Sequence, residues 1–390
     1  MRAEAPRGKR AGLYVHLPFC SAICPYCDFS VLTGTEQRRA RFVEVLKREI
    51  GLWDGREFPG KPFDSIYLGG GTPSLLDAEQ LAAILDELRL RMPMAADARL
   101  SMEANPEDVT LASLAAWRAF GVDTLTLGVQ SFDDAALRFL GRRHSGEEAR
   151  RAVEAALGAG FDVVGVDLIF GLPDQDETSW ERQLATAAAL GPQHLSCYQL
   201  TIHAGTPFGF RQARGELREM PERGQASLFR LTHERLAAAG YVAYEVSNFA
   251  RAPEHESRHN RKYWRHAPYL GLGPSAHSFD GARRWWNERK VGLWEDAVAA
   301  GGLPLAGEEW LGPPELALEH LMLGLRTREG VDLAHLRSLG FEIASTNAAL
   351  LDRLAAERLI VVGGDRLVPT LAGWAVADGL AAAFDLAATG

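Results

Sequence analysis

The alternation of strand and helix patterns over residues 13–202 constrains the fold of this 390-residue chain more than any other feature. Short runs rich in β-branched and aromatic residues alternate with longer amphipathic stretches, which predicts parallel strands joined by helices. The predicted strands are 13–17, 65–68, 99–103, 124–129, 162–170 and 194–202. The predicted helices between them include 41–53, 77–91 with Asp77 as its N-cap, and 147–157. The sequence therefore predicts an α/β fold with a parallel sheet and helices outside it.

Unusual motifs follow five of these predicted strands, each near the strand's C-terminal end. A cysteine loop follows the first strand and GGGTPS the second, while Glu103 and Gln130 follow the third and fourth and Asp167 lies near the end of the fifth. In parallel α/β folds the strand-to-helix loops converge at this edge, so active sites form there. The shared position predicts that all five motifs build one site.

The cysteine loop, FCSAICPYCDF, carries Cys20, Cys24 and Cys27. Thiolates are soft ligands that suit an iron–sulfur cluster or zinc. Three cysteines on a four-iron cluster leave one iron open to an outside molecule, whereas a closed zinc site needs four protein ligands. A Cys3His zinc site completed by His16 and a disulfide framework are the alternatives. Cys197, in the apolar run HLSCYQL, is expected to be buried and inert.

Taken together, the motifs resemble those of a known family. A CxxxCxxC loop after an apolar strand, with Tyr26 before the last cysteine, resembles the cluster-binding loop of the radical S-adenosylmethionine (SAM) superfamily. YVHLPFC, CPYCDF, GGGTPS, EANPE, LGVQSF, VDLIFGLP and HNRKYW resemble the oxygen-independent coproporphyrinogen III oxidase-like family, and most closely its heme chaperone HemW branch. The resemblance implies a partial (β/α)6 TIM-like radical SAM barrel.

The resemblance also implies a [4Fe-4S] cluster on Cys20, Cys24 and Cys27, with SAM bound beside it. The positions that match SAM-binding residues of the family are Tyr14, Tyr26, Gly70, Gly71, Thr72, Glu103, Gln130, Arg142 and Asp167. Residue chemistry agrees, because glycines let the backbone approach a ligand and a carboxylate suits ribose hydroxyls. Taken alone, the triple glycine also fits a tight turn, Glu103 also fits a helix N-terminus, and Arg143 competes with Arg142. Whether one or two SAM molecules bind stays open.

The HNRKYW motif (259–264) lies in a glycine-, proline- and aromatic-rich stretch, 203–311, that is predicted to form an extension or lid over the open side of the barrel. His259 is a candidate axial ligand to heme iron, with Tyr263 and Trp264 against the porphyrin. The cations available for its propionates are Arg258, Arg261, Lys262 and Arg265. A histidine among arginines is ordinarily a solvated surface residue, but the resemblance favours heme. His277 is a competing ligand.

The C-terminal residues, 312–390, predict a small winged-helix-like α+β domain. Helical patterns at 314–326, 333–339 and 347–357 precede two apolar strands joined through Gly-Gly-Asp. Winged helices often bind DNA, but the net charge of the whole chain is −9, which argues against a nucleic-acid partner. The predicted division is a disordered basic tail (1–12), the barrel (13–202), the extension (203–311) and this domain (312–390).

Two functions are implied, and both use the cluster and SAM. The favoured one is a heme chaperone that passes heme to an acceptor hemoprotein. The alternative is an oxygen-independent coproporphyrinogen III oxidase, in which radical chemistry starts oxidative decarboxylation to protoporphyrinogen IX. Asp28, Phe29 and Ser30 stand where the oxidases carry a further cysteine, and only a dozen residues precede Leu13, so decarboxylation is disfavoured and enzymatic turnover is left open. A third function class is an acidic interaction module with a structural zinc.

The expected partners are heme or porphyrin, an acceptor hemoprotein, and an electron donor such as a flavodoxin or ferredoxin. The oligomeric state, monomer or homodimer, and peripheral membrane contact are left open. The chain has no apolar run of membrane-spanning length and no secretory signal, which predicts a cytoplasmic protein. Four cysteines, three of them clustered, fit a compartment that keeps thiols reduced for a metal.

Overall fold

The computed structural model describes residues 10–54, 58 and 62–386, so most of the predicted basic tail lies outside the described residues. The described strands are β1 Gly12–Leu17, β2 Phe63–Gly70, β3 Met94–Ala104, β4 Thr124–Gln130, β5 Val163–Phe170, β6 His194–Gln199, β7 Val242–Ala243, β8 Asn248–Ala250, β9 Tyr269–Leu272, β10 His277–Phe279, β11 Arg283–Asn287, β12 Leu305–Trp310, β13 Val331–Asp332, β14 Ile360–Gly363 and β15 Arg366–Pro369.

The described α-helices are α1 Glu36–Leu52, α2 Ala78–Arg91, α3 Leu111–Ala119, α4 Asp134–Phe139, α5 Gly146–Gly158, α6 Glu177–Leu190, α7 Pro207–Ala213, α8 Glu222–Ala238, α9 Asn260–Trp264, α10 Val291–Ala299, α11 Pro313–Gly324, α12 Leu333–Ser338, α13 Ile343–Thr346, α14 Ala348–Ala356, α15 Leu371–Trp374 and α16 Ala377–Ala382. Short 3₁₀ turns lie at Pro73–Leu75, Pro106–Asp108 and Pro253–His255. None of the helices in the described part of the chain has the length and apolar character needed to cross a membrane.

The six predicted parallel strands are present. β1 to β6 lie side by side in chain order, with every neighbouring pair parallel. β1 and β6 pair with other strands on their outer sides, so the barrel is open, as a partial (β/α)6 barrel requires. Strands buried on both faces read as near-continuous apolar runs, and in β1 every residue but Tyr14 is buried. Asp77 caps α2 as predicted, with its side chain accepting from the backbone N–H of Gln80.

The stretch 203–311 lengthens the sheet at both edges. β8 pairs antiparallel with β6, and β7 pairs with β8. At the other edge β9 runs parallel to β1 and is followed by the antiparallel strands β10, β11 and β12. The strands of 203–311 therefore lengthen the sheet at both of its edges. The four-part domain division stays a prediction.

The HNRKYW motif lies at the opposite end of the barrel from the cysteine loop. Its residues form α9, which immediately precedes β9. Because β9 is parallel to β1, the start of β9 lies beside the start of β1, whereas the cysteines follow the end of β1. The backbone N–H of Gly12 donates to the carbonyl of Pro268, which fixes the motif at this N-terminal edge.

The C-terminal helices surround a small antiparallel sheet. Its strand order is β13, β15, β14, and β14 and β15 form the predicted hairpin. Leu321, Leu336, Leu354 and Leu367 belong to a buried apolar cluster that is separate from the barrel core. This is the small α+β unit that the sequence predicts.

Candidate functional site

The cysteine loop is held in shape by backbone hydrogen bonds. The N–H of Cys20 donates to the carbonyl of Leu32, and the N–H of Leu32 donates to the carbonyl of Pro18. Within the loop, the N–H of Cys27 donates to the carbonyl of Cys24. The three cysteines are unpaired, half-buried, and line one cleft of about 520 Å³ at the C-terminal ends of the strands. The loop is therefore a preformed turn that presents three thiols to one space.

Burial favours the protonated thiols when the loop is considered alone. It raises the pKa of Cys20 to about 11, against the opposing effects of a hydrogen bond from Thr72 and the charge of Arg142. It also raises the pKa of Cys27. A positively charged iron centre reverses this preference, because metal-bound thiols are deprotonated. Cluster assembly at this loop must therefore release protons.

His16 is not available as the fourth ligand of a Cys3His zinc site. The Nε2 atom of His16 lies 2.9 Å from the carbonyl oxygen of Ser30, and its Nδ1 atom lies 3.0 Å from the hydroxyl of Tyr14. Both ring nitrogens are therefore engaged, and burial lowers the pKa of this histidine. The disulfide alternative also fails, because all of the cysteines are free.

Eight of the nine residues matched to SAM binding line the same cleft as the cysteines. They are Tyr26, Gly70, Gly71, Thr72, Glu103, Gln130, Arg142 and Asp167. The parallel order of the strands explains this convergence, since each residue follows or ends a neighbouring strand. Tyr14 is the exception: it lies inside the barrel and bonds His16.

The glycine segment passes too close to the cysteine loop to carry side chains. A Cβ atom on Gly71 would lie 2.6 Å from the carbonyl oxygen of Phe19. Gly70 has a φ of 107°, and a Cβ atom there would lie 2.4 Å from the imidazole of His16. Glycine is needed at both positions to bring the backbone of β2 against the loop.

Glu103 projects into the cleft from the end of β3. The hydroxyl of Tyr67 donates to its Oε1 atom over 2.7 Å. Burial raises the pKa of Glu103, and the hydrogen bonds from Tyr67 and the backbone N–H of Gly70 act in the opposite direction. The carboxylate is thus fixed at one oxygen by protein donors. This suits a residue that must hold a defined position for a ligand.

Two buried polar atoms in the cleft have no hydrogen-bond partner among the described residues: Oδ1 of Asp167 and Nε of Arg142. Burial raises the pKa of Asp167 to about 7. Buried polar groups are seldom left unpaired, so such atoms indicate that a ligand supplies the missing partners. Gln130, at the end of β4, adds a left-handed backbone with φ 65°, an uncommon conformation that recurs at binding sites.

Arg142, and not Arg143, occupies the cleft. Its Nη1 atom donates to Cys24 Sγ over 3.6 Å, and its Nη2 atom donates to the carbonyl of Gly128 over 2.9 Å. Arg143 is exposed. Of the two arginines, Arg142 is the one that lines the cleft, and its contact with SAM stays a prediction.

Sequence reasoning missed Asn105, which connects the parts of the cleft. Its amide donates to the hydroxyl of Thr72 over 3.2 Å and accepts from Arg142. Thr72 in turn donates to Cys20 Sγ. The signal was available, since Asn105 stands in the EANPE motif beside Glu103.

The three candidate heme residues are not gathered in one pocket. His259 lies inside the barrel, 1% exposed, with Nδ1 3.1 Å from the hydroxyl of Ser65 and Nε2 2.9 Å from the hydroxyl of Tyr263. Burial, and then the charge of Lys262, lower the pKa of His259 to about 3, so the ring is neutral. Tyr263 and Trp264 line two different clefts. The interpretation of His259 as a solvated surface residue is wrong, because its neutral ring is bonded at both nitrogens inside the barrel. His259 as a heme ligand stays a prediction.

The cations around His259 are tied to neighbouring parts of the chain. Lys262 is ion-paired with Asp64 over 2.5 Å, and its Nζ atom donates to the carbonyl of Arg10. Arg265 pairs with Glu329, and Arg258 donates to the carbonyl of Asp97 over 2.6 Å. Each of these cations has a partner within the protein. The competing ligand His277 is exposed on β10, where its ring stacks on Trp286 at 5.8 Å.

Family models match two parts of the chain. Residues 14–186 match the Radical SAM superfamily, and residues 311–376 match the HemN C-terminal domain. The first range contains the three cysteines and the eight cleft residues matched to SAM binding, and the second contains the small C-terminal sheet.

Named relatives cover most of the chain. The heme chaperone HemW of Mycobacterium tuberculosis (strain ATCC 25618 / H37Rv) is 37% identical over 374 residues, which is 95% of this chain and 94% of that protein. The heme chaperone HemW of Escherichia coli (strain K12) is 40% identical over 268 residues, 68% of this chain and 69% of that protein. Among solved structures, coproporphyrinogen III oxidase (HemN) from Escherichia coli aligns with a TM-score of 0.82 at 24% identity, covering 96% of this chain and 90% of that one. The structural match confirms the fold.

Proposed function

Since the chain belongs to the heme chaperone HemW branch of the radical SAM superfamily, we propose that it binds heme and delivers it to an acceptor hemoprotein while holding a [4Fe-4S] cluster and SAM. One observation carries the proposal: relatives named as heme chaperones are similar over nearly the whole length of the chain. Membership of the radical SAM superfamily implies the cluster and SAM. Heme binding and its delivery are the parts that need a direct test.

The donor set of the cleft fits the cluster. Cys20, Cys24 and Cys27 supply three soft ligands around one space, and His16 is committed elsewhere. When bound, the cluster supplies one-electron reduction and an open iron position for SAM. Arg142 beside Cys24 places a positive charge near the anionic thiolates, which favours their ionised form.

The cleft also fits SAM. Gly70 and Gly71 line the cleft, where backbone without side chains can approach a ligand, and Glu103 offers a carboxylate for ribose hydroxyls. The unpartnered atoms of Asp167 and Arg142 require polar partners of the kind that SAM carries. In this proposal the cysteines are thiolate ligands of the cluster and the glycines offer backbone contacts to SAM. Glu103 on β3 and Asp167 on β5 are polar partners of SAM.

The position of Asp28 bears on the alternative, the coproporphyrinogen III oxidase. Its carboxylate lies 3.6 Å from Nδ1 of His203, and both side chains are about half exposed at the rim of the cleft. Phe29, two positions beyond Cys27 and therefore at the place expected for the further cysteine of the oxidases, is exposed beside Asp28, so no thiol stands there. This favours the chaperone over decarboxylation.

The test uses the full chain reconstituted with iron and sulfide under anaerobic conditions. Hemin is titrated in by Soret absorbance, with and without the cluster, and the loaded protein is then mixed with an apo-hemoprotein whose heme spectrum differs. We expect stable heme binding and transfer to the acceptor. Formation of protoporphyrinogen IX from coproporphyrinogen III with SAM and a reductant would overturn the proposal, and so would a heme affinity equal to that of an unrelated acidic protein.

A further inference from the structure

We propose that heme binds in a cleft between α11 and the strands β9 to β11, at the N-terminal edge of the barrel, with His266 as its iron ligand. This inference rests on the proposed heme-binding function and assigns it a place. The cleft, here called the α11 cleft, measures about 450 Å³. Its apolar wall includes Tyr269, Phe279, Leu311, Leu318, Met322 and Leu323. A concave, mostly apolar space of this size with a few polar groups is what a small-molecule site requires.

One helix leaves large apolar side chains exposed beside this space. Leu318 is 40% exposed and Met322 is 46% exposed, and both lie on α11. Because they are four residues apart, they stand on the same face of the helix. On the opposite wall, Phe279 is buried and Tyr269 half-buried. A flat porphyrin face would cover the two exposed side chains and rest against aromatic rings.

His266 lies in the cleft in the arrangement of a metal-ligating histidine. Its Nε2 atom is 2.7 Å from Oε2 of Glu319, while its Nδ1 atom has no hydrogen-bond partner within the part of the chain that the structure describes. Histidines that bind metals commonly donate their other ring N–H to a carboxylate, which fixes the ring and strengthens it as a ligand. The ring is also stacked on Phe279, with centroids 4.5 Å apart and planes at 14°. The ring is therefore held at one edge by the carboxylate of Glu319 and on one face by Phe279.

The backbone at His266 gives an independent indication. Its φ is 51°, in the left-handed region that non-glycine residues seldom occupy. Such conformations cost energy and recur at functional sites. Here the conformation turns the chain between α9 and β9 and places the imidazole in the α11 cleft. This contrasts with His259, whose two ring nitrogens are both bonded within the barrel.

Arg284 is the cation that a propionate would meet. It donates to Glu319 over 2.6 Å and to Glu309 over 3.0 Å. The side chain of Glu309 is 47% exposed, and ion pairs to exposed carboxylates contribute little stability, so a propionate can take its place. Glu315, also in the cleft, caps its own helix through the N–H of Gly312.

The HNRKYW motif borders this cleft through Tyr263. Its ring packs edge-on against Tyr269 at 4.6 Å, and its hydroxyl bonds His259. The ring of His259 stacks on Tyr67 at 5.3 Å, and Tyr67 holds Glu103. A continuous series of contacts therefore joins the α11 cleft to the cysteine cleft. In this proposal Tyr263 of the motif lines the heme cleft and His259 connects it to the barrel. The iron ligand, His266, follows the motif by two residues.

The experiment titrates hemin into the reconstituted full chain and into three variants. His266→Ala removes the ligand, Met322→Glu places a charge on the exposed apolar wall with little risk to folding, and His277→Ala tests the competing ligand, an exposed histidine outside the cleft. We expect a shifted Soret band and about tenfold weaker binding for His266→Ala, and about tenfold weaker binding for Met322→Glu, because a buried apolar contact is lost. His277→Ala should match the unaltered chain.

The cluster absorbance and SAM affinity serve as folding controls and should be unchanged in all three variants. If the unaltered chain binds no heme, the proposed function itself fails. If the unaltered chain binds heme while His266→Ala and Met322→Glu keep its spectrum and affinity, the chaperone function stands and the α11 cleft is overturned. If His277→Ala alone shifts the Soret band, the ligand lies on β10 and the α11 cleft is again overturned.

Discussion

The cysteine cleft and the HNRKYW segment carry the two densest motifs of the sequence, yet they are built in opposite ways. The cleft holds half-buried thiols and two buried polar atoms, on Asp167 and Arg142, that lack partners among the described residues. In the HNRKYW segment, His259 is buried with both ring nitrogens bonded, and Lys262 is ion-paired. Unpaired buried atoms that line a cleft fit a ligand site, whereas a histidine bonded at both ring nitrogens fits a structural role. A motif rich in ligand-type residues therefore indicates where a ligand can bind. Whether each buried polar atom already has a partner in the protein then indicates which motif binds one.

The largest expected effect is at the cysteine loop. Cys20→Ala, Cys24→Ala or Cys27→Ala should each abolish the visible absorbance of the reconstituted cluster, because a four-iron cluster held by three protein ligands does not tolerate loss of one. The measurement is iron and sulfide content together with the absorbance spectrum. Cys197→Ala is the matched control, since Cys197 is buried in the core and away from the loop. Loss of the cluster in this control would contradict the assignment of the three ligands.

The second largest effect is expected on the free energy of unfolding, with the cluster content unchanged. His259→Ala removes the partners of Ser65 and Tyr263 and leaves a cavity, which should lower the free energy of unfolding by about 2–4 kcal/mol. Thermal unfolding followed by circular dichroism measures this, with cluster content as the control. A variant as stable as the unaltered chain that has nevertheless lost heme binding would restore His259 as a ligand and would break the contrast between the two regions.

This contrast also separates what the sequence could predict from what it could not. The six parallel strands, the cap at Asp77 and the C-terminal hairpin follow from local patterns, and the structure contains them. The cleft was predictable because parallel strands bring their C-terminal ends to one edge. The environment of His259 was not, since its partners Ser65 and Tyr263 depend on β2 and α9 meeting in space. His266 was missed for the same reason, because its partner Glu319 is 53 residues away.

The third effect concerns SAM affinity. Glu103→Ala removes a carboxylate expected to pair with the ribose, and loss of such a charged hydrogen bond costs about 1.5–3 kcal/mol, roughly ten- to a hundredfold in affinity. Equilibrium dialysis with the reconstituted protein measures the change, and cluster content shows that the loop is intact. Glu107→Ala is a control on a nearby acid that is partly buried, is bonded to His144 and does not line the cleft. Equal SAM affinity in Glu103→Ala and the unaltered chain would remove Glu103 from the site.

The smallest effect tests the connection between the two regions. Tyr67→Phe removes only the hydroxyl that donates to Glu103 over 2.7 Å and keeps the ring that stacks on His259 at 5.3 Å. Because this hydroxyl positions Glu103 and does not itself contact SAM, we expect SAM to bind about two- to tenfold more weakly, a smaller loss than in Glu103→Ala. Because the ring remains, the thermal midpoint should change far less than in His259→Ala. If SAM affinity is unchanged, Glu103 does not need Tyr67 to hold its position. If heme affinity falls while SAM affinity is unchanged, the Tyr67 hydroxyl supports the α11 cleft. The contact between Tyr67 and Glu103 would then not be what connects the HNRKYW segment to the cysteine cleft.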